Sequence, residues 1–167
     1  MWGNLYTIPN HGQALLYLHK DGTSTKEPRQ NETGQGQEQK EDLLTVSDYL
    51  KLAQQVFNKW IRLRDQEQGC ISCGTPLGSK YDAGHFWSAG GHSSVRFHPD
   101  NVHAQCVSCN QHKHGNLLPY REALIKKIGH DGYGWLETFA HETRKWDKEE
   151  LKELIATYKK KIKDGVY

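Results

Sequence analysis

Apolar residues recur every three or four positions at Tyr49, Leu52, Ala53, Val56, Phe57, Trp60 and Leu63. That spacing predicts an amphipathic helix with Ser47 as its N-cap, running to about Gln66, with the stripe turned toward a core. A second stripe, Leu151, Leu154, Ile155, Tyr158 and Ile162, follows Asp147-Lys148-Glu149-Glu150, which has the form of a capping box, and stops before Gly165. Between the two the pattern changes. Residues 81–87 and 95–98 read as two short strands around Gly90-Gly91. A helix is expected from near Val107, with residues 120–128 helical until Gly129 ends the run by its tolerance of left-handed dihedrals, and residues 135–141 helical again. Short strands among longer helices make the fold class α+β. Residues 1–39 hold one apolar patch, Leu15-Leu16-Tyr17-Leu18, and then a Gln/Glu/Gly-rich stretch, so residues 1–45 are expected to be a flexible N-terminal lead-in.

Composition adds two constraints. With 167 residues, 35% hydrophobic and a mean hydropathy of −0.85, the chain can bury one modest core. No apolar run is long enough to cross a bilayer. The net charge of +2 is unevenly spread: residues 47–128 carry ten Lys/Arg against six Asp/Glu, while residues 1–45 are acidic by two. The basic excess coincides with the cysteines, as a phosphate-binding face requires.

All four cysteines fall into two Cys-x-x-Cys knuckles, Cys70/Cys73 and Cys106/Cys109. Two thiolates on one tight turn can face the same ion, and two such turns supply four soft tetrahedral ligands, so the expected ligand set is that of a structural zinc ion. Two disulfides are the competing reading for a secreted chain, which the absence of an apolar signal segment disfavours. An all-cysteine site has no open position and clamps the fold without doing chemistry.

His85 and Asn101 lie between the knuckles with fifteen residues separating them, and Asn110 comes just after the second knuckle, with eight residues between it and Asn101. This layout resembles the ββα-metal endonucleases, the HNH group, with asparagine in place of the last histidine. The resemblance implies that His85 on the first strand deprotonates water, that Asn101 on the second holds the imidazole, and that the following helix supplies a ligand to a catalytic magnesium or manganese. A neutral imidazole titrates near working pH, but its second nitrogen needs a fixed partner. Asn110 and His114, one helical turn apart, could face one ion, and Asp82 offers the hard carboxylate oxygen such ions prefer. Each residue has a plainer reading: His85 as a hydrogen-bonded strand residue, Asp82 and Asn101 as turn formers, and His112 and His114 as surface side chains. His103, two residues from Asn101, is open to a ligand or a structural role.

The residues also resemble the NinG/Rap family of lambdoid phage recombination endonucleases. The resemblance is carried by Cys70-Ile71-Ser72-Cys73-Gly74, Asp82-Ala83-Gly84-His85-Phe86, Asn101-Val102-His103-Ala104-Gln105-Cys106, Cys109-Asn110, Gly115-Asn116, Tyr120-Arg121 and Ile128-Gly129, and spans residue 47 to the C-terminus. It implies a zinc-stabilised HNH-like core over residues 46–130, with residues 131–167 as a C-terminal helical extension. It also implies cleavage of branched DNA, Holliday junctions and D-loops, in the cytoplasm of a bacterial host, with His85 as base, Asn101 as its orienter and Asp82 with Asn110 as metal ligands. Two departures stand out. Family members commonly begin with a further cysteine-bearing module, and residues 1–39 contain no cysteine. His114 takes the place of a small polar residue. Arg62, Arg64, Arg96, Lys113, Arg121, Lys126 and Lys127, with Lys59 beside them on the first helix, are the candidates for phosphate contacts, and two symmetric cuts at a junction would suit a homodimer. A non-catalytic zinc module that binds nucleic acid or protein is the competing function.

Overall fold

The computed structural model describes residues 43–167, and the Leu15 patch and nearly all of the expected lead-in lie outside them. Residues 44–167 form one compact unit. The first helix, α1 (Val46–Asp65), carries the predicted stripe: Tyr49, Ala53, Phe57 and Trp60 are buried, with Ile61 beside them. Its N-cap is Thr45, not Ser47. The Thr45 side chain accepts from the Asp48 backbone N–H, and the Asp48 carboxylate accepts from the Thr45 N–H, closing a capping box one step earlier. Ser47 has no residue placed to reciprocate in this way.

Two antiparallel strands follow, β1 (Tyr81–His85) and β2 (Val102–Cys106), in register from Tyr81 opposite Cys106 to His85 opposite Val102. The second strand is therefore not residues 95–98, which are turn, but the segment that ends in the second knuckle. Val95 and Phe97 are apolar because each fills a different core from a loop, which imitates strand alternation. After β2 the chain makes a single π-helical turn, Ser108–His112, in place of the expected helix from Val107. It then passes through His114 (φ 50°), Gly115 (φ 88°) and Asn116 (φ 45°) into α2 (Leu117–Ala140). Gly129, at φ 77° and ψ 169°, interrupts α2, and the helix resumes beyond it. That conformation is open essentially to glycine alone. The last helix, α3 (Lys148–Asp164), has the predicted capping box, with Asp147 and Glu150 as its reciprocal partners.

The ribbon separates two cores. On one face Ala83 and Val102 pack with α1 and α3, where Phe57, Trp60, Phe97 and Tyr158 meet edge to face or tilted. On the other, α2 contributes Tyr120, Leu124, Tyr133 and Leu136, with Val95 beneath them. The expected boundary at residue 130 has no counterpart, because Leu151, Ile155 and Tyr158 of α3 fill the same core as α1. Trp60 is covered by α3, and its indole N–H donates to the Val166 carbonyl at 2.9 Å.

α1 is fastened to β2 by a buried pair. Asp65 is 1% exposed, grips Arg64 at 2.6 and 2.8 Å, and accepts from the Ala104 N–H. Arg64 spends its other donors on the carbonyls of Pro99 and Val102. It is therefore a structural arginine and not the phosphate contact expected of it. Burial alone would raise the Asp65 carboxyl, but Arg64 and the Ala104 amide outweigh it and hold the group below its ordinary 3.8. The pair contributes stability above that value, lost as pH falls through the lowered one. Arg64→Ala should cost about 3–5 kcal/mol in urea unfolding at pH 7, because it strands a buried carboxylate. The deficit should shrink toward pH 4, where the stranded group takes up a proton; a loss below about 1 kcal/mol at pH 7 would show the pair to be incidental.

Candidate metal and catalytic site

The knuckles are shaped by their glycines and backbone bonds. Gly69 (φ 79°) and Gly74 (φ 71°) turn the first loop, in which the Cys70 N–H donates to the Thr75 carbonyl and the Gly74 N–H to the Cys70 carbonyl. The Ile71 N–H donates to the Ala104 carbonyl, which lays the loop against β2. The second knuckle joins the end of β2 to the π turn. Together they bring the sulfurs of Cys70, Cys73, Cys106 and Cys109 within 4.8 Å of one another, with Cys73 and Cys106 at 3.9 Å. Four sulfurs around a tetrahedral zinc would be roughly 3.8 Å apart, so this donor set fits a metal such as zinc with little adjustment. The surroundings are tuned unequally. The Thr75 hydroxyl and backbone pull the Cys73 thiol down to about 6, while burial pushes Cys109 up to about 12, and the Asn116 amide lies 3.4 Å from the Cys109 sulfur.

Beside the cluster, Asp82 on β1 meets the π turn. The Asn110 and Gln111 side-chain amides both donate to Asp82 Oδ2, at 2.9 and 2.8 Å. Asp82 and Asn110, both expected as ligands of a catalytic metal, are thus hydrogen-bonded to each other, and Gln111 joins them. His114 does not. A π turn that closes at Lys113 leaves it outside, exposed and at positive φ, so the helical spacing that was to align it with Asn110 is absent.

His85 ends β1 and is partly buried. Its Nε2–H donates to the Arg96 carbonyl at 3.1 Å, and the Gln54 amide nitrogen lies 3.4 Å away. Gln54 is itself fixed, accepting from Arg96 Nε and donating to Asn58. Burial lowers the imidazole pKa, the nearby Arg96 charge lowers it further, and the Arg96 and Ala83 carbonyls offset only part of this, so His85 is neutral at pH 7 with Nδ1 as the nitrogen left to take a proton. Asn101 does not hold it. Fully buried, Asn101 accepts from the Trp87 N–H and donates to the carbonyls of Trp87 and Val95, which fastens the loop after β1. The orienting partner is the Arg96 backbone, and no residue-type pattern advertises a carbonyl. Strict alternation along β1 puts Asp82 and His85 on opposite faces of the ribbon, about 10 Å apart along the strand, and they share no hydrogen-bond partner.

The cysteine cluster and the Asp82–Asn110 pair lie within a stretch that has known relatives. The model of the family described as Bacteriophage Lambda NinG protein matches residues 13–165. The chain belongs to the NinG family. Protein ninG of Escherichia phage lambda is 45% identical over 118 residues, 71% of this chain and 57% of that protein. Protein ninG of Salmonella phage P22 is 45% identical over 118 residues, 71% of this chain and 58% of that protein. The chain therefore spans under three fifths of the length of these NinG relatives. No solved structure matches it. No helix among the described residues is long and apolar enough to cross a membrane.

Several of the expected DNA contacts are engaged elsewhere. Arg96 bonds Gln54, Arg121 donates to the Tyr133 hydroxyl, and Lys127 bonds Gln68. Arg62, Lys113 and Lys126 have no side-chain partner among the hydrogen bonds and ion pairs of the described residues. His103 is buried, held down to about 3 by desolvation, with Nδ1 against the Tyr120 hydroxyl, and this places it in the packing under α2 and not at Asp82.

The ribbon face toward α2 is a buried polar layer that aligns the π turn. Gln105 donates to the Ser72 hydroxyl and to the Gly115 carbonyl, both at 2.6 Å, and its side chain lies across Gly84. A Cβ at Gly84 would stand 1.9 Å from Gln105 Oε1, and Gln105 cannot swing aside without giving up both bonds. Gly84→Ala should therefore destabilise by about 1–3 kcal/mol in thermal or urea unfolding. Unchanged stability would show that this layer is loosely held.

Proposed function

We propose that this NinG-family chain is a metal-dependent DNA endonuclease of the HNH type, with zinc in its cysteine cluster, that hydrolyses phosphodiesters in branched recombination intermediates such as Holliday junctions and D-loops. The observation that carries the reading is the Asp82–Asn110 pair: a strand carboxylate and a carboxamide from the turn after the second knuckle, held 2.9 Å apart beside the cysteine cluster and three residues from a neutral His85.

The Asp82 carboxylate and the Asn110 and Gln111 carboxamides form a hard-oxygen donor set suited to magnesium or manganese once the two amides turn their oxygens inward. Such an ion, when bound, supplies charge neutralisation at the scissile phosphate and its leaving oxygen. His85 accepts the proton of a water whose oxygen attacks phosphorus; the bond to the leaving oxygen breaks, giving a phosphomonoester and an alcohol. Arg96, through its carbonyl, fixes the tautomer that leaves Nδ1 basic. Paired cuts at a four-way junction would use two copies of the chain.

One observation favours a second reading, a non-catalytic zinc module that binds nucleic acid or protein: Asp82 and His85 face opposite sides of the ribbon, so the amides on Asp82 could be purely structural. Cleavage decides. A labelled four-way junction, a linear duplex and a single strand, each with Mg²⁺, Mn²⁺ or EDTA, should show metal-dependent cutting of the junction. His85→Ala and Asp82→Asn should each lower it by about 10²–10⁴-fold while keeping DNA binding. Binding without cutting would establish the module instead, and equal cutting of all three DNAs would remove the junction preference. The depressed His85 pKa adds a pH test: the base form persists into mildly acidic solution, so the cleavage rate should fall only below the ordinary imidazole value of 6.5. An acid limb above about pH 7 would contradict His85 as the base.

A further inference from the structure

A groove of about 660 Å³ opens between the outward face of α1 and the start of β1, and Asp82 lies in its wall. Lys59 and Arg62, three residues apart on α1 and so on one helical face, line one side, and Lys80, just before β1, lines another. Among the described residues, Asp82 is the only acidic one lining the groove, and its carboxylate is already occupied by Asn110 and Gln111. None of the ion pairs among the described residues takes Lys59, Arg62 or Lys80, whereas Arg64, Arg144, Lys51, Lys152 and Lys160 are all paired with carboxylates. Three cations thus converge on a groove whose one carboxylate is turned to amides instead. The Tyr81 hydroxyl donates to the Arg62 carbonyl at 2.9 Å, which ties the helical wall of the groove to the strand.

We propose that this groove seats the phosphodiester backbone of DNA and leads it to Asp82, with Lys59, Arg62 and Lys80 as the phosphate contacts. The catalytic role of Asp82 rests on the nuclease reading above, but the binding role of the groove does not. Unpaired cations on two rigid elements recognise a run of negative charge irrespective of sequence, which is how an enzyme that reads branching would hold an arm of its substrate. Lys80 is a contact that residue spacing alone does not single out. Lys113 and Lys126, exposed elsewhere, line no part of the groove.

The test is fluorescence anisotropy of a labelled four-way junction and a labelled duplex in EDTA across a salt series, so that no cleavage intervenes. The Lys59→Glu/Arg62→Glu/Lys80→Glu variant should bind both DNAs at least about 100-fold more weakly. The neutral set Lys59→Gln/Arg62→Gln/Lys80→Gln should weaken them in the same direction and lower the slope of log K against log salt by about 2–3, near 0.9 for each phosphate no longer neutralised. Lys113→Glu/Lys126→Glu should change binding by less than about threefold. Circular dichroism and bound zinc establish that each variant is folded. Undiminished binding by the folded neutral set, or an equal loss in the Lys113/Lys126 pair, overturns the groove assignment, as does a wild-type chain that binds no DNA. Failure of the nuclease reading would look different: the wild type would bind and the groove variants would not, with no DNA cut by any of them.

Discussion

Four sulfurs held within 4.8 Å of one another are the fixed point around which this fold is arranged. They bring together the loop after α1, the end of β2 and the π turn, and a metal such as zinc bound to them would join the three into one cross-link where the interior is weakest. The ribbon face toward α2 is not an oily layer but a buried set of Gln105, His103, Ser72 and Asn101 held by hydrogen bonds. Such a layer contributes specificity more than net stability, since each bond only replaces one to water. A two-stranded ribbon is marginal alone. Zinc bound to such a cysteine set would release free energy on the order of 10 kcal/mol as folding energy, enough to hold this layer closed.

The same cluster positions the proposed active-site residues. Asn110 follows Cys109 directly, so fixing the sulfur fixes the start of the amide side chain, and Asp82 is held opposite by the ribbon register. His85 is set independently, from the α1 side, through Gln54 and the Arg96 carbonyl. The two halves of the proposed active site thus belong to the two faces of one ribbon. The chain spans 57% of its lambda relative and the names of the relatives state no activity, so the nuclease reading rests on the site residues alone.

Much of this was legible in the sequence where a residue type has one dominant physical use. Paired cysteines, the apolar stripes of α1 and α3, the Asp147 capping box and the helix break at Gly129 all stand in the structure. The second strand, Val102-His103-Ala104-Gln105-Cys106, does alternate apolar and polar residues, but that pattern gives no sign that its polar side, His103 and Gln105, is buried as fully as its apolar one. Asn101 has the right spacing for a histidine partner, but its amide is drawn to backbone groups left unpaired in the loop after β1. His114 fails because a π turn changes the angular spacing that a helix of ordinary pitch would give. Gln54, Gln105 and Gln111 carry no signal, since a carboxamide is as common on a surface as in a site.

Zinc K-edge X-ray absorption on the purified chain would show whether the clamp exists. The expected spectrum is that of one zinc per chain with four sulfur neighbours at about 2.3 Å and neither nitrogen nor oxygen bound to the ion. Mixed coordination by sulfur with nitrogen or oxygen would mean that the cysteines do not close the site by themselves. A folded chain with no zinc would contradict the clamp, and with it the physical reason for the meeting of Asp82 and Asn110.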